Sequence, residues 1–387
     1  MGIHHLITGS YTKTNLYLLA FDTIARTLTL NLTVPAFGLH QYVTTNEARD
    51  RIYATAMNEP PQLFSWSRTE DNTFAHISTV NVTTSSCYVS NNGHYAFSSG
   101  GSGARINAVD TDGGLGEQTD EMYYVPEEEI VNVDKTRNAV LYGAHSFDVN
   151  VNNKGFVAHL AWNAIFMYDI AENGAGALLS VNLSPEIGDG PRNALPSADG
   201  KWLYVVYLIP HKVRHKEKDN TMNIDDRALF TDQAPYDAFA ILIKSCLTIN
   251  NYLSEMRGKH TYRGNTARLS RDGKYIFTST RGWNSTEANG WVGAFALGEN
   301  GTLQSEEALA YYEAPLTLGS AGGLRVAFWE DETNARTDGI TDYMYLSDTQ
   351  EGYMYILGWT PSNHTISQVA ALQYPDGASP YEAAWLD

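Results

Sequence analysis

Four side chains of this sequence are of types suited to binding an anion and moving a proton. Three are arginines, Arg192 in GPRNA, Arg263 in TYRGN and Arg281 in FTSTR, and the fourth is His145 in GAHS. Arginine binds a carboxylate through two parallel hydrogen bonds and keeps its charge. Histidine exchanges a proton near neutral pH. Together they would suit a small acid with several carboxylates, provided that the fold brings them to one place.

A repeated element indicates how the fold could do so. A polar turn followed by alternating apolar residues occurs six times, and HHLITGSYT (4–12) repeats the strand without its turn. The six copies are ARDRIYATAM (48–57), NNGHYAFSSGG (91–101), NNKGFVAHLAW (152–162), DGKWLYVVYL (199–208), DGKYIFTSTR (272–281) and TDYMYLSDTQ (341–350). Spacings of this size are typical of a solenoid or a propeller.

Each copy has a further strand after it, and most have one before it, which predicts a four-stranded antiparallel unit. Seven such units bury their faces when they pack radially. The sequence therefore predicts an all-β, seven-bladed propeller of four-stranded antiparallel blades. It forms a single domain over 1–387, with a polar loop insertion at about 209–236. SPYEAAWLD (379–387) reads as a first strand without a second, so the N- and C-terminal strands are expected to share one blade.

The repeat also predicts which residues meet. The first strand of each blade lines the central channel, and equivalent positions lie at the same end of it. Five polar residues stand twelve positions before equivalent residues of the second strands: Gln41, Ser85, His145, Arg192 and Asn265. Arg281 ends a second strand and should reach the same channel mouth, with Arg263 two residues before Asn265. Trp162, Trp283 and Tyr207 are expected as aromatic walls. Arginines that serve only structure in the channel remain the alternative.

Composition limits the partners. A formal net charge of −18 offers no basic surface for nucleic acid or anionic membranes. No apolar run approaches the length of a membrane span. Cys87 and Cys246 form no disulfide framework and no zinc spacing, and the histidines lack metal-ligand partners. We expect no metal and no cofactor. No leader is visible, which favours a cytoplasmic protein. Several Asn-X-Ser/Thr sequons leave secretion after leader removal open, and the oligomeric state stays undetermined.

HHLITGSYT, GDGPRNALPSADGKWLY, TYRGNTARLSRDGKYIFTSTR and SDTQEGYMYILGWT resemble the fungal 3-carboxy-cis,cis-muconate lactonizing enzymes, or carboxymuconate cyclases. These belong to the lactonase-like seven-bladed propellers. The resemblance implies a metal-independent cyclisation of an unsaturated acid to a γ-lactone, hence an isomerase (intramolecular lyase). It implies arginine anchors and proton transfer by a histidine and a glutamate. His145, Arg192, Arg263 and Arg281 match the family histidine and arginines.

Two departures from the family pattern bear on function. The family glutamate falls at Leu208, and a family G-H-P-R segment falls where this sequence reads TTSSCYVS (83–90). Tyr207 is a candidate replacement for the glutamate. Three hypotheses follow: a cofactor-independent cyclase acting on an unsaturated carboxylic acid, with a changed substrate; a lactone hydrolase; and a non-catalytic or secreted binding propeller.

Overall fold

The structure, a computed structural model, describes residues 2–136, 139, 143–184, 189–207, 240–243, 262–282, 289–305, 307–315, 321–329 and 338–387. Within these ranges the chain is built almost entirely of β-strands. Its 3₁₀ helices include Glu127–Asn132 and Pro361–Asn363. No helix in these ranges has the length and apolar character that crossing a membrane requires.

Twenty-seven strands follow one another along the described chain. In chain order they are β1 (Ile3–Thr8), β2 (Asn15–Asp22), β3 (Thr27–Pro35), β4 (Val43–Thr45), β5 (Arg51–Ala56), β6 (Gln62–Arg68), β7 (Phe74–Asn81), β8 (Tyr88–Asn91), β9 (Tyr95–Gly100), β10 (Gly103–Val109), β11 (Leu115–Tyr123), β12 (Ala144–Val149), β13 (Lys154–His159), β14 (Ala164–Ile170), β15 (Gly176–Leu183), β16 (Pro191–Pro196), β17 (Leu203–Tyr207), β18 (Ala240–Ile243), β19 (Tyr262–Leu269), β20 (Tyr275–Gly282), β21 (Trp291–Ala296), β22 (Ala310–Glu313), β23 (Ala321–Val326), β24 (Asp342–Asp348), β25 (Tyr353–Thr360), β26 (Thr365–Gln373) and β27 (Ala383–Trp385).

These strands form six four-stranded antiparallel sheets and one sheet of three described strands. We number the sheets along the chain: sheet 1 is β27-β1-β2-β3, sheet 2 β4 to β7, sheet 3 β8 to β11, sheet 4 β12 to β15, sheet 5 β16 to β18, sheet 6 β19 to β22 and sheet 7 β23 to β26. The innermost strands contact one another in a closed order, β27, β4, β8, β12, β16, β19, β23 and again β27. This radial arrangement is a β-propeller.

Sheet 1 joins the two ends of the chain, as the sequence predicts. Strand β27 pairs antiparallel with β1, with Leu6 opposite Trp385 and Thr8 opposite Ala383. The Asp387 carboxylate also contacts His5 Nδ1 at 3.0 Å and Arg68 Nη2 at 2.7 Å. The first and last strands therefore close the ring within a single sheet.

Sheet 5 differs from the predicted blade. The sequence predicts that every blade is antiparallel, whereas β18 runs parallel to β17, with Leu203 opposite Ala240 and Val206 opposite Ile243. That part of the prediction is wrong for β18. A parallel neighbour needs a crossover connection of about a dozen residues or more, and the stretch 208–239 has ample length for one. The predicted loop 209–236 lies outside the described residues.

The core lies between the sheets. Seven clusters of buried apolar side chains occur in the described chain, one at each interface between neighbouring sheets. Phe97 of sheet 3 and Phe147 of sheet 4, for example, have ring centroids 5.1 Å apart. This pattern explains the alternation in the second strands, since both faces of each sheet must be apolar to pack against two neighbours.

Candidate functional site

Three of the sequence-predicted site residues share an unusual backbone position. His145, Arg192 and Asn265 are each the extra residue of a β-bulge, where the inner strand has one residue more than its partner. The flanking pairs are Ala144 with His159 and Ser146 with Ala158; Pro191 with Tyr207 and Asn193 with Val206; and Gly264 with Thr280 and Thr266 with Ser279. A bulge redirects a side chain locally without changing the register of the rest of the strand.

The three bulges lie on consecutive inner strands. Strand β12 contacts β16, and β16 contacts β19. Bulges at the start of all three strands therefore bring His145, Arg192 and Asn265 to the same end of the central channel, which we call the channel mouth. This position is the one that counting twelve residues back from the second strands predicts.

Arg192 is 5% exposed and is held by two neutral oxygens. Its Nη1 donates to the main-chain carbonyl of Asn265, and its Nη2 donates to the Tyr381 hydroxyl at 2.6 Å. The Tyr381 hydroxyl in turn donates to Asn265 Oδ1 at 3.1 Å. No carboxylate from the described part of the chain bonds to Arg192, so its positive charge is buried without a counter-ion.

Two other buried arginines of the described chain, Arg105 and Arg268, are paired. Arg105 Nη2 lies 2.6 Å from Glu121 Oε1. Arg268 Nη2 lies 3.6 Å from Glu382 Oε1. An unpaired buried cation is costly, because its lost hydration is replaced by nothing of opposite charge. Arg192 is thus placed as an anion receptor would be, whereas Arg105 and Arg268 have counter-ions of their own.

Arg281 and Arg263 add positive charge beside this position. They are directly opposite one another, Arg263 on β19 and Arg281 on β20. Like charges on directly opposite residues repel. The positive field of Arg281 reaches His145 together with that of Arg192.

His145 is held as a neutral imidazole. Burial first, and then the charges of Arg192 and Arg281, keep the pKa of His145 well below its usual value. A neutral imidazole can accept a proton. The His145 backbone is also tied to sheet 3, since the Cys87 thiol lies 3.4 Å from its carbonyl oxygen. Burial raises the pKa of that thiol to about 12, so Cys87 is neutral too.

Two predicted aromatic residues lie at this end of their strands, and the third cannot be placed. Tyr207 ends β17 opposite Pro191, and burial followed by the charge of Asp189 raises its pKa above the usual value. Trp162 lies in the turn between β13 and β14, where its indole nitrogen donates to the Tyr124 carbonyl at 2.9 Å. Trp283 lies outside the described residues.

Ser85 and Gln41 have mainly structural contacts. The Ser85 hydroxyl donates to the Lys135 carbonyl at 2.9 Å, and Gln41 Nε2 donates to the Ser86 carbonyl at 3.2 Å. Both residues are buried. They connect the segments around the channel mouth, and the structure shows no contact between them and the arginines.

Tyr381 is the residue of this site that the repeat does not reveal. The positional count runs back from the second strand, through the hairpin turn, to the first strand. Sheet 1 has no such turn, because β27 and β1 come from opposite ends of the chain. The closing segment SPYEAAWLD signals that a first strand is present there, and Tyr381 precedes it by two residues.

A second polar layer lies deeper in the channel. Arg268 and Asp148 stand three residues beyond Asn265 and His145, about 10 Å along their strands. Tyr345 donates to Glu382 Oε2 at 2.6 Å, and Tyr88 donates to Asp148 Oδ2 at 2.8 Å. Burial raises the pKa of Asp148 to about 6. In this layer Arg268 has the Glu382 carboxylate as its counter-ion, whereas Arg192 has no carboxylate partner among the described residues.

The chain belongs to a lactonase family. The family model described as "Lactonase, 7-bladed beta-propeller" matches residues 5–318, which is most of the chain. Muconate cycloisomerase 1 of Cutaneotrichosporon cutaneum is 24% identical, over 99% of this chain and 98% of that protein. Carboxy-cis,cis-muconate cyclase of Neurospora crassa is 23% identical, over 60% of this chain and 56% of that protein. The resemblance inferred from the sequence is confirmed.

Solved structures agree on the fold. A putative 6-phosphogluconolactonase from Bacteroides fragilis has a TM-score of 0.68 at 14% identity, covering 100% of this chain and 98% of its own. A periplasmic gluconolactonase from Pseudomonas aeruginosa has a TM-score of 0.68 at 15% identity, covering 100% and 99%. At such identities the likeness concerns the propeller fold alone.

Proposed function

We propose that this protein is a cofactor-independent cyclase of the seven-bladed lactonase type, with sheet 5 as one of its seven blades. Its substrate is a small unsaturated carboxylic acid, which it converts to a lactone. The observation that carries this proposal is the buried Arg192, which has no carboxylate partner in the described chain and lies beside the neutral His145. A bound carboxylate would supply the missing counter-ion.

The arginines bind the substrate and stabilise charge in the proposed reaction. Arg192 and Arg281 hold substrate carboxylates, and Arg263 adds to the positive field. A carboxylate oxygen forms a new C–O bond to an alkene carbon, and the π electrons move to the neighbouring carbon. That carbon takes a proton, so one double bond is lost and a lactone ring forms. The arginines stabilise the negative charge that develops on the conjugated acid during this step.

His145 is the group proposed to deliver that proton. Burial first, and then the positive charges of Arg192 and Arg281, keep its pKa low. A bound carboxylate offsets those charges and raises the pKa of His145, so the imidazole takes up a proton from solvent as substrate binds. The imidazolium then protonates carbon and returns to its neutral form. Substrate binding thus protonates His145, which then acts as the general acid.

The departures from the family pattern favour a changed substrate. Leu208 replaces the carboxylate of the family glutamate, and the segment 83–90 lacks the second family arginine. Fewer cations suit an acid with fewer carboxylates than 3-carboxy-cis,cis-muconate. cis,cis-Muconate, which has two carboxylates, is therefore the first alternative substrate.

The test is an ultraviolet assay that follows loss of diene absorbance with each of the two acids. Wild-type protein should consume at least one of them and form a lactone, and Arg192→Ala should lose this activity. If neither acid is consumed, the cyclisation of muconate-type acids is wrong for this chain.

Lactone hydrolysis is the second candidate, and the family description favours it. It needs a base that removes a proton from water, and a neutral His145 can do so. The products distinguish the two candidates: opening of a γ-lactone by wild-type protein without any cyclisation of the acids would support the hydrolase. Binding of acids with neither reaction would support the non-catalytic propeller.

A further inference from the structure

Tyr381 and Arg192 form one functional unit that joins opposite parts of the ring. Arg192 belongs to sheet 5 and Asn265 to sheet 6, whereas Tyr381 precedes β27 of sheet 1. Sheet 7 lies between sheets 6 and 1 in the order of inner strands. Sheets 6 and 7 therefore separate the sheets of Arg192 and Tyr381 in this order, and the Tyr381 side chain spans that distance to meet the guanidinium.

A glycine in sheet 7 makes this reach possible. A Cβ atom on Gly323 would lie 2.2 Å from the main-chain oxygen of Tyr381, closer than real contacts allow. Any other residue at position 323 would push the closing segment away from the channel. The segment is also anchored from the N-terminal side, since Ser379 accepts from the Tyr11 amide at 3.0 Å and the rings of Tyr11 and Tyr381 meet edge to face.

Three hydrogen bonds connect the unit in a closed triangle. Arg192 donates to the Asn265 carbonyl and to the Tyr381 hydroxyl, and that hydroxyl donates to Asn265 Oδ1. Both nitrogens of the fork are fixed by neutral acceptors, which orient the guanidinium without neutralising its charge. These hydrogen bonds use two of its five N–H groups.

We propose that Tyr381 is a positioning residue for the anion-binding arginine, and that ring closure by the C-terminal segment completes the site. This inference rests on the proposed function for the role of Arg192. A phenol is suited to the task because it accepts from the cation and donates to the amide at once. Phenylalanine would keep the ring packing and lose both hydrogen bonds.

The test compares Tyr381→Phe with Tyr17→Phe. Tyr17 is a matched control, because its hydroxyl ties the chain just before the closing segment, donating to Asp376 Oδ2 at 2.7 Å, yet it does not contact Arg192. The first measurement is the rotation of the Arg192 guanidinium by nitrogen-15 NMR, with Arg192→Lys to assign the signal. Rotation should be slow in wild type and Tyr17→Phe, and faster in Tyr381→Phe. Equal rotation in all three proteins would overturn the proposal.

The second measurement is the affinity for adipate, the saturated counterpart of muconate, which binds without reacting. Loss of a hydrogen bond to a charged group should weaken binding by Tyr381→Phe about tenfold or more, with no change in Tyr17→Phe. Unchanged affinity in a wild type that binds adipate would contradict the positioning role. A wild type that neither binds adipate nor turns over either acid contradicts the proposed function instead, and the rotation measurement still decides the role of Tyr381.

Discussion

The positive charge of Arg192 bears on the imidazole of His145, and neither side chain bonds to a carboxylate of the described chain. Burial is the main reason that the histidine is neutral, and the charge of Arg192 adds to it. An anion that offsets the charge of Arg192 would therefore raise the pKa of His145.

This relationship predicts that carboxylate binding is coupled to proton uptake. In mildly acidic solution, binding of adipate should take up as much as one proton per site, because the pKa of His145 rises when the anion offsets Arg192 and Arg281. Calorimetry in two buffers of different ionisation enthalpy measures this uptake. His145→Gln should bind adipate with clearly less uptake. The same uptake in that variant would assign the proton to another group.

Replacing His145 by glutamine should remove turnover and leave binding largely intact. Loss of a proton-transfer group lowers kcat by about 100- to 10,000-fold, whereas the arginines still hold the acid. Steady-state kinetics with the acid that wild type consumes give kcat and KM separately. His94→Gln, in an exposed turn, serves as the control. A kcat within threefold of wild type would exclude His145 from the chemical step.

Replacing Arg192 should change the free energy of unfolding less than replacing the paired arginine Arg105. Arg192→Met removes an unpaired buried charge together with two hydrogen bonds, so we expect the free energy of unfolding to change by only about 1 kcal/mol. Arg105→Met leaves the partly buried Glu121 carboxylate without its cation, with hydrogen bonds from Tyr123 and Gln118 remaining, and should cost about 2 kcal/mol or more. Urea unfolding of both variants checks this. Equal large losses would mean that Arg192 has a structural role.

Removing the hydroxyl of Tyr207 should have little effect on the reaction. Burial and the charge of Asp189 raise the pKa of Tyr207, which makes it a poor proton donor and a poor replacement for the family glutamate. We expect kcat of Tyr207→Phe within about fivefold of wild type, since a group that moves no proton contributes little of the general acid–base effect. A loss of a hundredfold or more would restore Tyr207 as the proton-transfer candidate.

Mild acid should destabilise the protein through its buried neutral histidines. His159 is 4% exposed, and burial lowers its pKa to about 3. Below pH 6.5, His159 binds a proton in the unfolded state and stays neutral in the folded state. The free energy of unfolding therefore falls by about 1.4 kcal/mol for each pH unit by which the pH is lowered. His40, with a pKa lowered to about 4, acts in the same direction, and Asp148 opposes both.

Urea unfolding between pH 7 and pH 4.5 measures this slope. His159→Phe keeps an aromatic ring beside Tyr124 and removes one titrating group, so its stability should fall less steeply as the pH is lowered. A slope identical to that of wild type would show that His159 does not contribute to the acid sensitivity.

Much of the fold follows from the sequence because the repeat is carried by local patterns. DGK turns at Gly200 and Gly273 have positive φ, and Asn153 adopts the same conformation in the corresponding turn of sheet 4. Strand alternation then predicts the sheets. The parallel pairing of β18 was not predictable, because strand polarity depends on the path of the connecting chain and not on the residues of the strand itself.

The positions of the site residues were predictable only where a hairpin joins the first and second strands, because the residues between the two strands can then be counted. His145, Arg192 and Asn265 lie on first strands with a turn to count from, and the count leads to the bulge in each case. Tyr381 has no turn, and its role depends on a contact across the ring. Ser85 and Gln41 satisfy the same count, yet their side chains donate to backbone carbonyls. No sequence pattern distinguishes such a structural polar residue from one that faces a ligand.

The repeated bulge separates two demands that a β-strand usually has to meet together. In a regular strand, the identity of each residue is tied to the face on which it lies. The single extra residue in each of β12, β16 and β19 does not follow this alternation of faces. The apolar residues after it keep their register between the sheets. The bulge residues at this end of the propeller can therefore be substituted during evolution one at a time, without a change in the packing between the blades.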